Sequence, residues 1–173
     1  ETWDETCQRY ADFWDDKVDL ATKSEIFNMI HDMEVMPSMR AIWSCGPALA
    51  RDNACAFNCA YVAVDHVRAF DEAAYLLMCG CGVGYSVERQ SISKLPEVAE
   101  ELVDTDTTIV VRDSKIGWAT AFKQLISMLY AGEVPQWDVS GVRPAGAKLK
   151  TMGGRASGPA PLVDLFEFTV RVF

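Results

Sequence analysis

Apolar and polar positions alternate along the chain with periods that change from segment to segment. Trp3, Cys7, Tyr10 and Trp14 recur at i, i+4, i+7 and i+11, one stripe at the helical period. Ser24 is placed to cap a second helix whose inward side carries Ile26, Met29, Ile30 and Met33. From Val35 the texture breaks up around Pro37, Gly46 and Pro47, which predicts loops and short strands. Ala60 to Val64 then reads as a strand, and Asp65 as the N-cap of a helix reaching Met78 with Phe70, Ala73, Leu76 and Leu77 facing inward. Gly80, Gly82 and Gly84 end that helix and lead into a strand at Tyr85-Ser86-Val87. Lys94 to Asp106 is polar and acidic, as in a loop or an edge hairpin. Asp113 opens a long helix with Ile116, Ala119, Phe122, Ile126 and Leu129 on one face, ended by Ala131-Gly132, and Pro135 prevents its continuation. A last helix starts near Asp164. Strands alternating with helices predict an α/β architecture, and no internal repeat is visible.

Composition narrows this picture. The 173 residues are about one domain's worth of chain, and half of them are apolar, enough for a buried core. No apolar run reaches the roughly 18 residues that span a bilayer, so no membrane partner is expected. Sixteen Lys and Arg against 25 Asp and Glu leave a net charge of −9, which argues against a nucleic-acid partner because phosphate neutralisation needs clustered cations. The acids crowding residues 1–34 read as a solvated helical face. The chain opens at Glu1 without a secretory segment and closes at Phe173 within a helical pattern, so it is expected to be a piece of something longer. Cysteines stand at 7, 45, 55, 59, 79 and 81. Nothing suggests secretion, so a cytoplasmic setting with reduced or chemically used thiols is expected.

Three features could carry chemistry. The run Cys79-Gly80-Cys81-Gly82-Val83-Gly84 suggests a dinucleotide loop, but that site needs strand, glycines, helix, and here the order is helix, glycines, strand. The glycines are better explained by backbone approaching something flat, a base or a neighbouring strand. Between Val139 and Val163 there is no acid, but there are Arg143, Lys148, Lys150 and Arg155 among five glycines, a setting that suits phosphate. The cysteine spacing, Cys55-x3-Cys59 with Cys79-x-Cys81, leaves inert core thiols, redox thiols and a zinc site all open. Neither His31 nor His66 has a partner by spacing, so no metal site is expected from them.

The run Met36-Pro37-Ser38-Met39-Arg40-Ala41, then Arg51-Asp52-Asn53 and Phe57-Asn58-Cys59-Ala60-Tyr61, resembles ribonucleotide reductase of the adenosylcobalamin-dependent (class II) type, in particular the monomeric ribonucleoside-triphosphate reductases. Further segments follow in the family's order: Asp71-Glu72-Ala73 through Gly82 to Gln90, Asp113 to Trp118, and Val142-Arg143-Pro144 through Gly153 to Pro159. The resemblance implies N-terminal helices followed by the first part of a ten-stranded α/β barrel, incomplete in this chain. Residues 1–35 would be the helical lead-in and 36–90 the first barrel segment. Residues 91–140 would be an inserted effector-site segment, and 141–173 the basic loop and a truncated return to a barrel helix.

It also implies the chemistry. A thiyl radical generated with adenosylcobalamin abstracts the ribose 3′-hydrogen, and the 2′-hydroxyl leaves as water while two cysteines become a disulfide that a thioredoxin-like reductant restores. Cys59 matches the first cysteine of that pair, whereas Cys45, Cys55, Cys79 and Cys81 match no catalytic position. Ser38 and Asn58 would hold the ribonucleoside triphosphate, with Gly82 and Gly84 bordering its base. Asp65, Arg89, Lys94, Arg143, Lys148 and Lys150 would serve a dNTP effector, an allosteric coupling of two sites.

No Asn-x-Cys-x-Glu segment is present, so the resemblance implies that the radical cysteine, the catalytic Glu and the second redox cysteine lie outside this chain, as do the family's cobalamin-binding region and C-terminal thiol shuttle, in the remainder of the enzyme. A fragment, or one piece of a split gene, should leave an exposed sheet edge and an unpartnered apolar face. Two alternatives remain: a dimeric or diphosphate-type reductase, and a noncatalytic nucleotide-binding or thiol-metal module.

Overall fold

A computed structural model describes residues 1–149 and 153–173. They form two compact units, Glu1–Asn58 and Cys59–Phe173.

The first unit begins with α1 (Trp3–Asp12) and α2 (Leu20–His31), packed on each other through Cys7, Ala11 and Ile30, all nearly inaccessible. Thr2 and Glu5 form a reciprocal capping box at the start of α1. Asp19, not Ser24, caps α2: its carboxylate accepts from the Thr22 N–H at 2.7 Å, and Ser24 sits one turn inside, donating to the Leu20 carbonyl. The helix therefore starts earlier than the pattern suggested and stops at His31, so Met33 lies beyond it with φ 59° and is exposed rather than inward. Lys23 fastens the two helices by bonding both Asp12 and Asp15, at 2.5 and 2.6 Å.

Residues 39–56 are helical where loops and short strands were expected. α3 (Met39–Ser44), α4 (Pro47–Arg51) and a 3₁₀ turn (Asn53–Ala56) follow one another. Gly46 and Pro47, which read as punctuation between short segments, are helix-start residues instead. Gly46 takes φ 110° before α4, and Pro47 occupies its first turn, where no N–H is needed. Ser38 caps α3 and Asp52 caps the 3₁₀ turn.

The second unit is built from two β-α-β repeats of one pattern. β1 (Cys59–Ala63), α5 (Ala69–Met78) and β2 (Gly82–Ser86) make a parallel strand pair with a crossover helix. After the single turn of α6 (Arg89–Ile92), β3 (Val103–Val110), α7 (Lys115–Tyr130) and β4 (Glu133–Asp138) repeat it, and α8 (Ala160–Val172) closes the unit. Parallel strands need such crossovers, which is why each pair is separated by a helix of ten residues or more. The core lies between α7, α8 and the second strand pair. Leu125, Ile126, Leu129 and Phe166 are almost fully buried there, each contributing about 2 kcal/mol, and Phe166 stacks on Phe122 and meets Trp137 edge-on.

Four expectations are corrected in this unit. Asp65 does not cap α5, whose N-cap is Arg68 with no side-chain bond, because the Asp65 carboxylate is drawn to Lys94. Leu77 and Ile116 are exposed, at 57% and 66%, because each falls on the outer side of its helix. The second strand starts at Gly82, three residues earlier than expected, and leaves Val87 outside. The acidic segment ends not in a hairpin but in β3, whose polar Asp104-Thr105-Asp106-Thr107-Thr108 run is mostly solvent-facing and shifts register opposite Pro135, which has no N–H to donate. The α/β class holds. Each strand pair is two-stranded, so edges stay open among the described residues.

Candidate functional site

Cys59 is the first residue of β1, and side chains alternate across a strand, so Cys59 and Tyr61 share one face. Their register partners on β2 are Gly82 and Gly84. Beside the thiol the sheet therefore presents bare backbone. The opposite face carries the half-buried Ala60, Val62 and Val83, and α5 packs against both strands. Among the described residues Cys59 is the one exposed cysteine; the other five are buried and all six are free thiols. Burial pushes the thiols of Cys7 and Cys45 up, keeping them protonated and inert. No group of three or more His, Cys, Asp or Glu able to hold a metal occurs among the described residues, which leaves the zinc alternative without a donor set.

Gly84 is informative because the fold does not require it. Its φ is not positive, and a Cβ there would sit 3.9 Å from the Ala60 carbonyl, an ordinary contact. Neither strain nor crowding accounts for the missing side chain.

Ser38 and Asn58 belong to the first unit. The Ser38 hydroxyl accepts from the Ala41 N–H at 3.1 Å, leaving its own proton to donate, and Asn58 is exposed.

Of the six residues expected to meet an effector, the structure joins Asp65 and Lys94, whose charged atoms lie 3.1 Å apart. The Lys94 ammonium holds the Asp65 carboxyl below its ordinary value. Arg89 opens α6 and is exposed. Arg143 goes elsewhere: its Nε donates to Asp113 at 2.7 Å. Lys148 is exposed and its backbone bridges Arg155, whose guanidinium donates to the Gly146 carbonyl at 2.8 Å. Lys150 lies outside the described residues.

Sequence reasoning passed over three groups. Asp113 was read only as a helix opener, although its place in the ordered Asp113–Trp118 segment was a signal. Asp71, which heads another of the ordered segments, is 6% exposed and its Oδ1 has no hydrogen-bond partner among the described residues; helical periodicity alone does not reveal that burial. The third is a cleft of 430 Å³ in the first unit, bordered by Arg9, Phe13 and Pro47. Arg9 there is committed to Glu1 and to the Cys45 carbonyl, so the cleft offers no free cation.

Residues 86–172 match the family model described as the insertion domain of B12-dependent ribonucleotide reductase. The chain belongs to the B12-dependent ribonucleotide reductase family. A Mycobacterium phage D29 protein, provisionally named an adenosylcobalamin-dependent ribonucleoside-triphosphate reductase, is 30% identical over 207 residues, covering 95% of this chain and 29% of its own length. The Euglena gracilis adenosylcobalamin-dependent ribonucleoside-triphosphate reductase is 29% identical, covering 88% of this chain and 22% of its own. A crystal structure of a B12-dependent (class II) ribonucleotide reductase superposes with a TM-score of 0.78 at 25% identity, over 99% of this chain and 34% of that one. The chain thus spans less than a third of the length of these two relatives, and its fold is that of a class II ribonucleotide reductase over the matching part.

Proposed function

We propose that this chain is one portion of an adenosylcobalamin-dependent ribonucleoside-triphosphate reductase, and that Cys59 is one of the two thiols that reduce the ribose. The observation that supports this most is the exposed Cys59 thiol on a strand face floored by Gly82 and Gly84, with the other five cysteines buried. A substrate sugar can reach that sulfur, and a flat base can lie on the bare backbone beside it. The overall change is balanced by the thiols: the ribose C2′–OH bond breaks, a C2′–H bond forms, water leaves, and two thiols become a disulfide. Cys59 gives up one hydrogen and shares one electron pair in the new S–S bond. The second thiol lies outside this chain, and a thioredoxin-like protein would return the disulfide to two thiols.

Adenosylcobalamin, when bound, supplies the radical that starts the reaction, and no residue of this chain is assigned to hold it. Ser38 and Asn58 would donate to the triphosphate and the ribose. Asp65 with Lys94, Arg89 and the basic loop would serve a dNTP effector, with 36–90 as the thiol-bearing segment, 91–140 as the effector insertion and 141–173 as the loop and returning helix. A cytoplasmic site of action fits the free thiols; no helix among the described residues is long and apolar enough to cross a membrane.

The test is Cys59→Ser in the full-length enzyme. Multiple-turnover dNTP formation with a thioredoxin-type reductant should fall by at least about a thousandfold, as for loss of a covalently acting group. Wild-type turnover in that variant would overturn the reading. Undiminished dATP or dTTP binding by a protein that never reduces a nucleotide would favour the noncatalytic module instead.

A further inference from the structure

We infer that Asp113 is a positioning residue: by holding Arg143 it fixes the neck of the glycine-rich loop, and among the described cations of that loop Lys148 is the one open to a nucleotide phosphate. This rests on the proposed nucleotide role of that loop. Arg143 and Asp113 meet at 2.7 Å with side chains 31% and 32% exposed, so the pair is shielded enough to hold. Asp113 stands on rigid ground. The next residue, Ser114, caps α7 by accepting from the Gly117 N–H at 2.9 Å. Gly117 in turn lies so close under Arg112 that a Cβ there would come within 2.4 Å of its carbonyl oxygen.

The loop beyond the anchor closes on itself. Gly146 donates to the Ala156 carbonyl at 2.9 Å, Ala156 to Ala147 at 2.8 Å and Leu149 to Gly154 at 3.1 Å. Gly158, at φ 77°, presses against Ala145 and seals the neck. Arg155 is used inside the loop, on the Gly146 carbonyl. Arg143 spends its Nε on Asp113, so any anion meeting its remaining N–H groups would also face that carboxylate. Arg143 and Arg155 each hold a protein oxygen, and of the three described cations the exposed Lys148 is the one without such a brace among the described residues.

The experiment uses the full-length protein, with dATP and dTTP as probes in titration calorimetry and hydrogen exchange read over residues 144–149 and 153–158. Asp113→Asn and Arg143→Gln should each weaken binding about tenfold and speed exchange of the loop amides, and the double variant should be no worse than either. Asp113→Glu should restore both readouts. Lys148→Gln should weaken binding with exchange unchanged. Binding retained in Asp113→Asn but lost in Arg143→Gln would overturn the inference, because Arg143 would then touch the phosphate itself. If the wild type binds neither nucleotide, the nucleotide reading of the loop fails. The exchange arm still decides the anchor in that case, and unchanged exchange in Asp113→Asn overturns it.

Discussion

Gly117 shows how one missing methyl group can decide a local structure. Alanine is favoured over glycine within a helix by about 1 kcal/mol. Here the added Cβ would lie 2.4 Å from the Arg112 carbonyl oxygen and 2.7 Å from its Cβ, and the backbone must move. Overpacking of that kind costs about 1–3 kcal/mol. Gly117→Ala should therefore destabilise the second unit, read as a lower urea midpoint at unchanged slope. His31 gives a prediction of a different sort. Its two ring nitrogens face Asp32 at 2.9 Å and Asp4 at 3.0 Å, and only the imidazolium can donate to both. The bond to Asp32, then that to Asp4, raises its pKa above the ordinary histidine value. Since the folded pKa is the higher one, the stabilisation is complete below about pH 6.5 and fades as pH rises through the raised value. Thermal unfolding of the wild type should show that loss, and His31→Gln should remove it.

At the scale of elements, α5 carries its own liability. Asp71 faces inward between α5 and α7, with Arg68 at 3.6 Å and Glu72 on its own helix and Lys123 across from it. Burial raises its pKa more than Arg68 and Lys123 lower it. The folded chain holds this proton more tightly than the unfolded chain, so the contribution is present at low pH and is lost as pH climbs through the raised value. Asp71→Asn should stabilise the chain at neutral pH by about 1 kcal/mol and flatten the profile above pH 4. Elements whose pattern is continuous were legible from the sequence. The strand at 60–64 is displaced by one residue and the long helix ends before Gly132 as periodicity put it, whereas the last helix starts at Ala160, four residues before the expected Asp164. Several failures trace to individual bonds and turn residues that pattern does not encode. Asp19 wins the cap of α2 over Ser24, Lys94 takes Asp65 away from α5, and Pro47 starts a turn of helix where it reads as a break. The choice of Cys59 needed the resemblance, since spacing alone left core, redox and zinc readings open; the pairing of Asp65 with Lys94, 29 residues apart, was not legible in the sequence.

For the whole molecule, the open edges matter most. Among the described residues each sheet has two strands, and a parallel pair of that size is marginal unless something covers it. Around the first pair Tyr61, Tyr85 and Val87 are 69%, 69% and 55% exposed. The isolated chain should therefore self-associate in a concentration-dependent way, measurable by sedimentation velocity at 5 to 100 µM as an order-of-magnitude range. A compact monomer throughout would count against further strands packing there. The fragment-like architecture was readable from what the sequence lacks. The division at Asn58 and Cys59 was not, because no proline- or glycine-rich linker marks it.

The unneeded bareness of Gly84 separates two kinds of selective pressure. A library screened only for soluble expression should let codon 84 drift freely to alanine or serine. A library whose hosts depend on this gene for their deoxynucleotides should hold the glycine.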